Sequence, residues 1–314
     1  MNGKSPEEIA KAMIALDVWG AIENSCWAVK AAGCAAPYFC AVLPGDGKPV
    51  KTRFLMIEGW QSFNDFVRTR IDPNFGFISS PMEIPHFEIA VGDGGAFAIA
   101  RYDPGYAPRR PDERESGICA RIMWEAYGMM MRIEADKSLP LKFADEKAMF
   151  SRYETAPGEW EDRPLAIPDP VPHVEKVSFA KDLIAKAKDL PFEQNFTVEL
   201  DLRILPGVIT REKRPRLAYL LAAVDAANGA RVVWERTSIV PDAGIRGIWE
   251  GMPPKVLQDF VNLGRIPGEI KTSSGRVFRL LRPLCLELPL KLSLHDRLET
   301  LEKEMHSPQS GLLV

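Results

Sequence analysis

The chain is 314 residues long, 46% hydrophobic and 26% charged, with a net charge of −3. That length predicts two domains with cores large enough to need neither metal nor disulfide, and the composition is globular rather than fibrous or disordered. No apolar run reaches the ~18 residues of a membrane span, so no membrane is expected as a partner.

The opening MNGKSPEEIAKAM lacks the basic start and apolar core of a signal peptide. Five cysteines form an odd count without a CxxC pair, which predicts reduced thiols and a cytoplasmic location. Charge is unevenly divided. Residues 176–306 hold 21 Lys and Arg against 17 Asp and Glu, a balance of +4, which leaves −7 for the rest. A split of that size fits a solvated surface as well as an anionic partner.

Ser5-Pro6-Glu7-Glu8 is a helix start: serine caps, proline takes the first helical position and acids fill the first turn. CWAVKA, PYFCAVL and RFLMIEG then predict three short strands, the latter two separated by the turn residues Pro44 to Gly47. Trp60 to Arg70 reads as a helix. His86–Val91 and Ala96–Tyr102 read as a hairpin around Gly92-Asp93-Gly94-Gly95, and Arg114–Glu134 as a longer helix rich in Met and Trp. A first, α+β domain is therefore expected over residues 1–160. Five prolines between 157 and 173 predict an extended, stiff connector, placed at 161–175.

The second domain, 176–306, begins with an amphipathic helix over Phe179–Leu190. Val198, Leu200, Leu202 and Ile204 then alternate with Glu199, Asp201 and Arg203, the period of a half-buried strand. The stretch from Arg214 to Val240 organises the rest of this domain. Leu217–Val224 is an apolar run, Asn228-Gly229 supplies turn chemistry, and Val232 to Val240 return as a β-branched strand. Next come a helix over Ile245–Leu263, interrupted near Gly251, and a short strand around Ile270. A helix over Gly275–Leu284 precedes a strand over Leu284–Leu292, and the chain closes with a helix capped by Ser293 and a tail at 307–314.

The order strand, strand, strand, helix, strand, helix, strand, helix resembles the ribonuclease H-like fold of transposases and integrases, over residues 196–305. The full chain also resembles an uncharacterised two-domain bacterial family. That family's second domain carries a proline, an apolar strand, Asp, a small residue, Gly and a further strand, here Pro215 through Val233. The family resemblance implies no assigned activity. The fold resemblance implies a mixed five-stranded sheet and, in active members, clustered carboxylates holding two Mg or Mn ions that clamp attacking and leaving oxygens. Asp201 and Glu250 stand where the first two acids would be. The fourth strand offers Lys271 or Ser273 in place of the expected Asp, and a lysine there repels metal.

Other chemistry is thinly supported. The histidines 86, 173, 295 and 306 show no ligand spacing, and neither GxSxG nor GxxxxGK[ST] occurs. The glycine-rich stretches read as hairpin turns rather than phosphate cradles. Basic residues gather at Arg211, Lys213, Arg214 and Arg216, and again at Lys271, Arg276 and Arg279, a candidate nucleic-acid contact. These residues together predict a non-catalytic binding protein with a degenerate ribonuclease H-like domain, no cofactor, and a protein or nucleic acid as partner. Two alternatives stand beside it: a metal-dependent nuclease rearranged around Asp201, Glu250, Asp296 and Glu299, and an interaction module of a larger assembly.

Overall fold

The computed structural model describes residues 4–310 apart from 17–18, 23–25, 48–49, 72–79, 137, 140–147, 170–174, 210–213, 241–242 and 308–309. The chain is mixed α/β, with one seven-stranded and one five-stranded sheet, each mixed in strand direction. It divides into two compact units that interleave in sequence rather than parting only at 161–175. Unit 1 comprises residues 1–67, 84–103 and 108–171, and unit 2 comprises 68–83, 104–107 and 172–314. No helix among the described residues is long and apolar enough to cross a membrane.

Unit 1 contains α1 (Pro6–Ile14), α2 (Trp19–Ile22), β1 (Cys26–Lys30), β2 (Tyr38–Gly47), β3 (Val50–Glu58), α3 (Trp60–Ile71, its last turn counted with unit 2), β4 (His86–Gly92), β5 (Phe97–Tyr102), α4 (Glu113–Ala135), β6 (Ala148–Ala156) and β7 (Glu159–Ala166). Ser5 and Glu8 form the expected capping box on α1, and Asp112 and Glu115 form a second on α4. The sheet order is β5-β4-β3-β2-β1-β6-β7. One face buries α1 and α4, with Met13, Ile122, Met123 and Met130 against Trp27 and Phe54. Consecutive methionines Met129 and Met130 are both buried, while Met131 is 41% exposed. On α3, Phe63 stacks on Phe39 at 4.3 Å.

The stretch expected as a connector contains β7, paired antiparallel with β6. It lies at the sheet edge, where Pro164 can sit without depriving a further strand of a donor.

Unit 2 contains α5 (Lys181–Lys188), β8 (Phe192–Ile209), β9 (Arg216–Asp225), β10 (Arg231–Thr237), α6 (Gly244–Leu263), β11 (Ile266–Thr272), α7 (Gly275–Leu281), α8 (Leu284–Glu287), β12 (Lys291–Leu294) and α9 (Glu299–Met305). The sheet runs β10-β9-β8-β11-β12. β8, β9 and β10 are antiparallel, while β11 is parallel to β8 and β12 parallel to β11. One face carries α5, α6 and α7 over Val198, Leu200, Leu202, Tyr219, Leu221 and Ile270. The other carries α9, whose Leu301, with Leu298 just before it, covers Leu220, Ala222 and Val224.

Three expectations are corrected here. Helix α6 is not interrupted at Gly251 but runs through Pro253 and Pro254. Burial of Trp249, Met252, Val256, Leu257 and Phe260 along one side outweighs the ~3 kcal/mol that an interior proline costs. Residues 284–292 are not one strand but α8 and then β12. Ser293 lies inside β12, and α9 begins six residues later behind the buried Leu298.

Two stretches from the first half of the chain complete unit 2. Gly105 accepts from the amide of Leu217 and Ala107 donates to Pro215, which adds a short antiparallel bridge beside β9. Gly105 has φ +79°, and a Cβ there would lie 2.3 Å from Ile239, so both the backbone and the space require glycine. Glu83 supplies the second contact. Arg276, 5% exposed, places Nη1 3.0 Å from Glu83 and Nε 2.6 Å from Glu175. Its guanidinium lies 4.0 Å from the ring of Trp249, whose Nε1 donates to Glu83 at 3.1 Å. A buried guanidinium stripped of one carboxylate keeps its desolvation penalty. Glu83→Ala is therefore expected to destabilise unit 2 by about 3–5 kcal/mol, read as a lowered urea midpoint with unchanged secondary structure at zero denaturant.

Candidate functional site

The three parallel strands of unit 2 present a polar face. Ile270 and Thr272 of β11 are buried, and Ile270 and Leu292 belong to the core on the α6 side. Alternation therefore turns Glu269, Lys271 and the adjoining Ser273 to the α9 side, together with Glu199, Asp201 and Arg203 of β8 and Lys291 and Ser293 of β12. Register sets them in rows. Glu269 lies between Thr197 and Lys291, and Lys271 between Glu199 and Ser293. Ser273 comes next, beside Asp201, while His295 donates its amide to Thr272.

Each carboxylate of this face already has donors. Glu199, buried, accepts from the amide of Leu301 at 2.8 Å. Leu298 offers α9 no side-chain cap, so a residue from the sheet does what an N-cap side chain ordinarily does. Asp201, 4% exposed, accepts from Ser273 Oγ at 2.7 Å, Arg203 Nε at 3.3 Å and the Leu202 amide at 3.0 Å. Arg203 also donates to Ser273 Oγ at 3.3 Å. Burial pushes the Asp201 carboxyl above the usual carboxylate range, against the pull of Ser273 and Arg203. Glu269 accepts from Ser293 Oγ at 2.7 Å and lies 2.9 Å from Lys291 Nζ. Burial opposes its ionisation, but Ser293, Lys291 and the charge of Lys271 together hold its carboxyl below the usual range.

His295 Nε2 lies 3.0 Å from Ser293 Oγ. Because that hydroxyl donates to Glu269, the imidazole nitrogen must carry the hydrogen. Ser293 is thus a relay between His295 and Glu269 and not a hydroxyl aimed at a neutral base. A carboxylate held below its ordinary pKa is a weak general base. Lys271 stands between the two serine–carboxylate pairs, and among the described residues no hydrogen bond fixes its ammonium. The array offers donors and acceptors to a ligand laid on the sheet face.

The other sequence candidates are dispersed. Glu250 lies on α6, on the opposite side of the sheet from Asp201, and accepts from the amide of Lys176 at 2.9 Å. Asp296 and Glu299 are exposed. Among the described residues, no three His, Cys, Asp or Glu side chains could hold a metal ion together.

Among the described residues, the basic candidates do not form one patch either. Arg276 is the buried guanidinium of the core and cannot reach a phosphate, and Arg279 shares its short helix on the α6 side, across the sheet from Lys271. Arg214 lies 3.8 Å from the Tyr106 ring, and Arg216 donates to Ile239 O at 2.7 Å. Arg211 and Lys213 lie outside the described residues. Sequence reasoning missed Arg203, Glu199, Ser293 and His295 as one neighbourhood. The signal available was their common parity on strands whose register only the fold supplies.

A mixed α/β domain with a polar face across parallel strands is the class that the geometry defines. Residues 183–307 match the family model of a domain of unknown function (DUF6930). No curated protein and no solved structure matches the chain. The matched stretch contains the polar face but neither Glu83 nor Glu175.

Glu199→Ala is expected to cost about 1–2 kcal/mol, the scale of a lost N-cap, and to speed amide exchange selectively in α9. Asp201 gives a pH signature. Its folded-state pKa is raised, so its stabilising share is complete below the unfolded-state value and is lost as pH rises through the folded-state value. Urea unfolding across that window is expected to show Asp201→Asn gaining on the parent as pH rises and then levelling off.

Proposed function

We propose that unit 2 is a ribonuclease H-like domain that has lost its metal-holding carboxylates, and that the protein works by binding rather than by catalysis. The element order and the sheet order β10-β9-β8-β11-β12 support the fold reading. A single observation carries the functional one. Such a nuclease would pair two acids where Asp201, midway along β8, faces Ser273, just past the carboxyl end of β11; here Arg203 bonds both. A guanidinium at that place supplies the positive charge that a divalent ion would otherwise bring, so the buried acid is compensated without metal.

The separation of Lys271 from Arg276 and Arg279 by the sheet favours a protein partner over nucleic acid, because phosphate binding needs cations that reach one strand of ligand together. Titration of the full chain with Mg²⁺ and Mn²⁺, then incubation with labelled single- and double-stranded DNA and RNA, tests both statements. No saturable metal binding, no cleavage and no salt-sensitive retention are expected. Metal-stimulated cleavage would overturn the loss of catalysis, and retention that falls steeply between low and moderate salt would make nucleic acid the partner.

A further inference from the structure

A cavity of about 170 Å³ opens between α6 and β10, away from the polar face. Its floor is apolar. Leu202 and Leu221, neighbours across β8 and β9, and Met252 of α6 are all buried and line it. The space exists because α6 carries glycine at 247 and 251, four residues apart on the side facing β10. Glycine is the poorest helix former after proline, and a Cβ at Gly251 would meet no heavy atom within 4 Å. A cavity of roughly 150 Å³ lined by apolar side chains accommodates benzene, so this one has room for a single ring or a branched alkyl group.

The mouth is charged and unbalanced. Lys255, which lines the cavity together with Glu235, places Nζ 2.7 Å from Glu235 and 2.6 Å from Asp259, a residue beyond the lining, so the three linked groups sum to one negative charge. Glu235 and Thr237 line the cavity on the β10 side. A ligand whose apolar end rests on Leu202 and Leu221 would thus present its head to a carboxylate and a hydroxyl, which favour a cationic donor over an anion.

We propose that this cavity is a binding site for a small primary amine carrying one ring or a branched alkyl group, its ammonium held by Glu235 and Thr237. The site is independent of the reading of the polar face, since it lies on the other side of the sheet and uses none of its residues.

Calorimetry on the full chain with benzylamine, benzyl alcohol and phenylacetate tests it. Benzylamine is expected to bind saturably and at least about tenfold more tightly than benzyl alcohol, with phenylacetate weakest, the order that the net negative charge of those linked groups imposes. Gly251→Leu fills the cavity from a position with open space and a better helix former, so it is expected to abolish benzylamine binding while the melting temperature holds or rises. Glu235→Gln leaves the cavity open and is expected to bring benzylamine and benzyl alcohol to about the same affinity. Absence of saturable benzylamine binding to the parent chain, or binding undiminished in folded Gly251→Leu, would overturn the site. Equal affinities of the parent for all three probes would overturn the assignment of an amine.

Discussion

Unit 2 depends on one buried cation. Removing a guanidinium from water costs several kcal/mol even after relaxation, and only well-placed carboxylates offset it. Arg276 has two, Glu83 and Glu175, and lies against the face of Trp249. Arg276 and Trp249 belong to the family-matched stretch, but both acids lie outside 183–307. The stretch that a family model recognises is therefore smaller than the unit that can bury its own polar groups. Gly105 and its neighbours make the same point through the backbone, since they pair with the start of β9 from more than a hundred residues upstream.

On the polar face, the same logic acts in a wetter setting. Glu199, Asp201 and Glu269 share this face, where a carboxylate taken out of water without donors would be costly. Each is instead assigned its own donors: a helix amide, a serine with an arginine, and a serine with a lysine. Charges distributed in this way stiffen the surface and leave Lys271 as the group best placed to meet a partner. The chemistry available is recognition by hydrogen bonds and one cation.

Much of the fold is legible in the residues. Period-two alternation marks β8, and the Asn228-Gly229 turn between apolar runs marks β9 and β10, because local sterics and one-sided burial leave those patterns in sequence. β6 and β7 escape such a reading, since EWEDRPLA is an edge strand with half its surface in water and carries little hydrophobic signal. β12 is misplaced by it because four residues beside Pro289 and α8 are too short to show a period. Glu199 and Asp201 read as solvent-facing, as alternation says they should. Only the placement of α9 buries them, a tertiary fact with no local signature. Arg276 reads as one of a basic group for the same reason, its partners being a hundred or more residues away in sequence.

Glu83 and Arg276 are separated by 193 residues, and synthesis proceeds at roughly 5–20 residues per second. The acid therefore leaves the ribosome about 10–40 s before the base that completes it. Throughout that interval the nascent chain holds a hydrated carboxylate at the end of a stretch destined for an interior, and the second sheet cannot seal before its penultimate strand has emerged. The order of assembly is dictated by geometry: the first half of the chain can settle early, while the half that bears the polar face closes only near the end of translation.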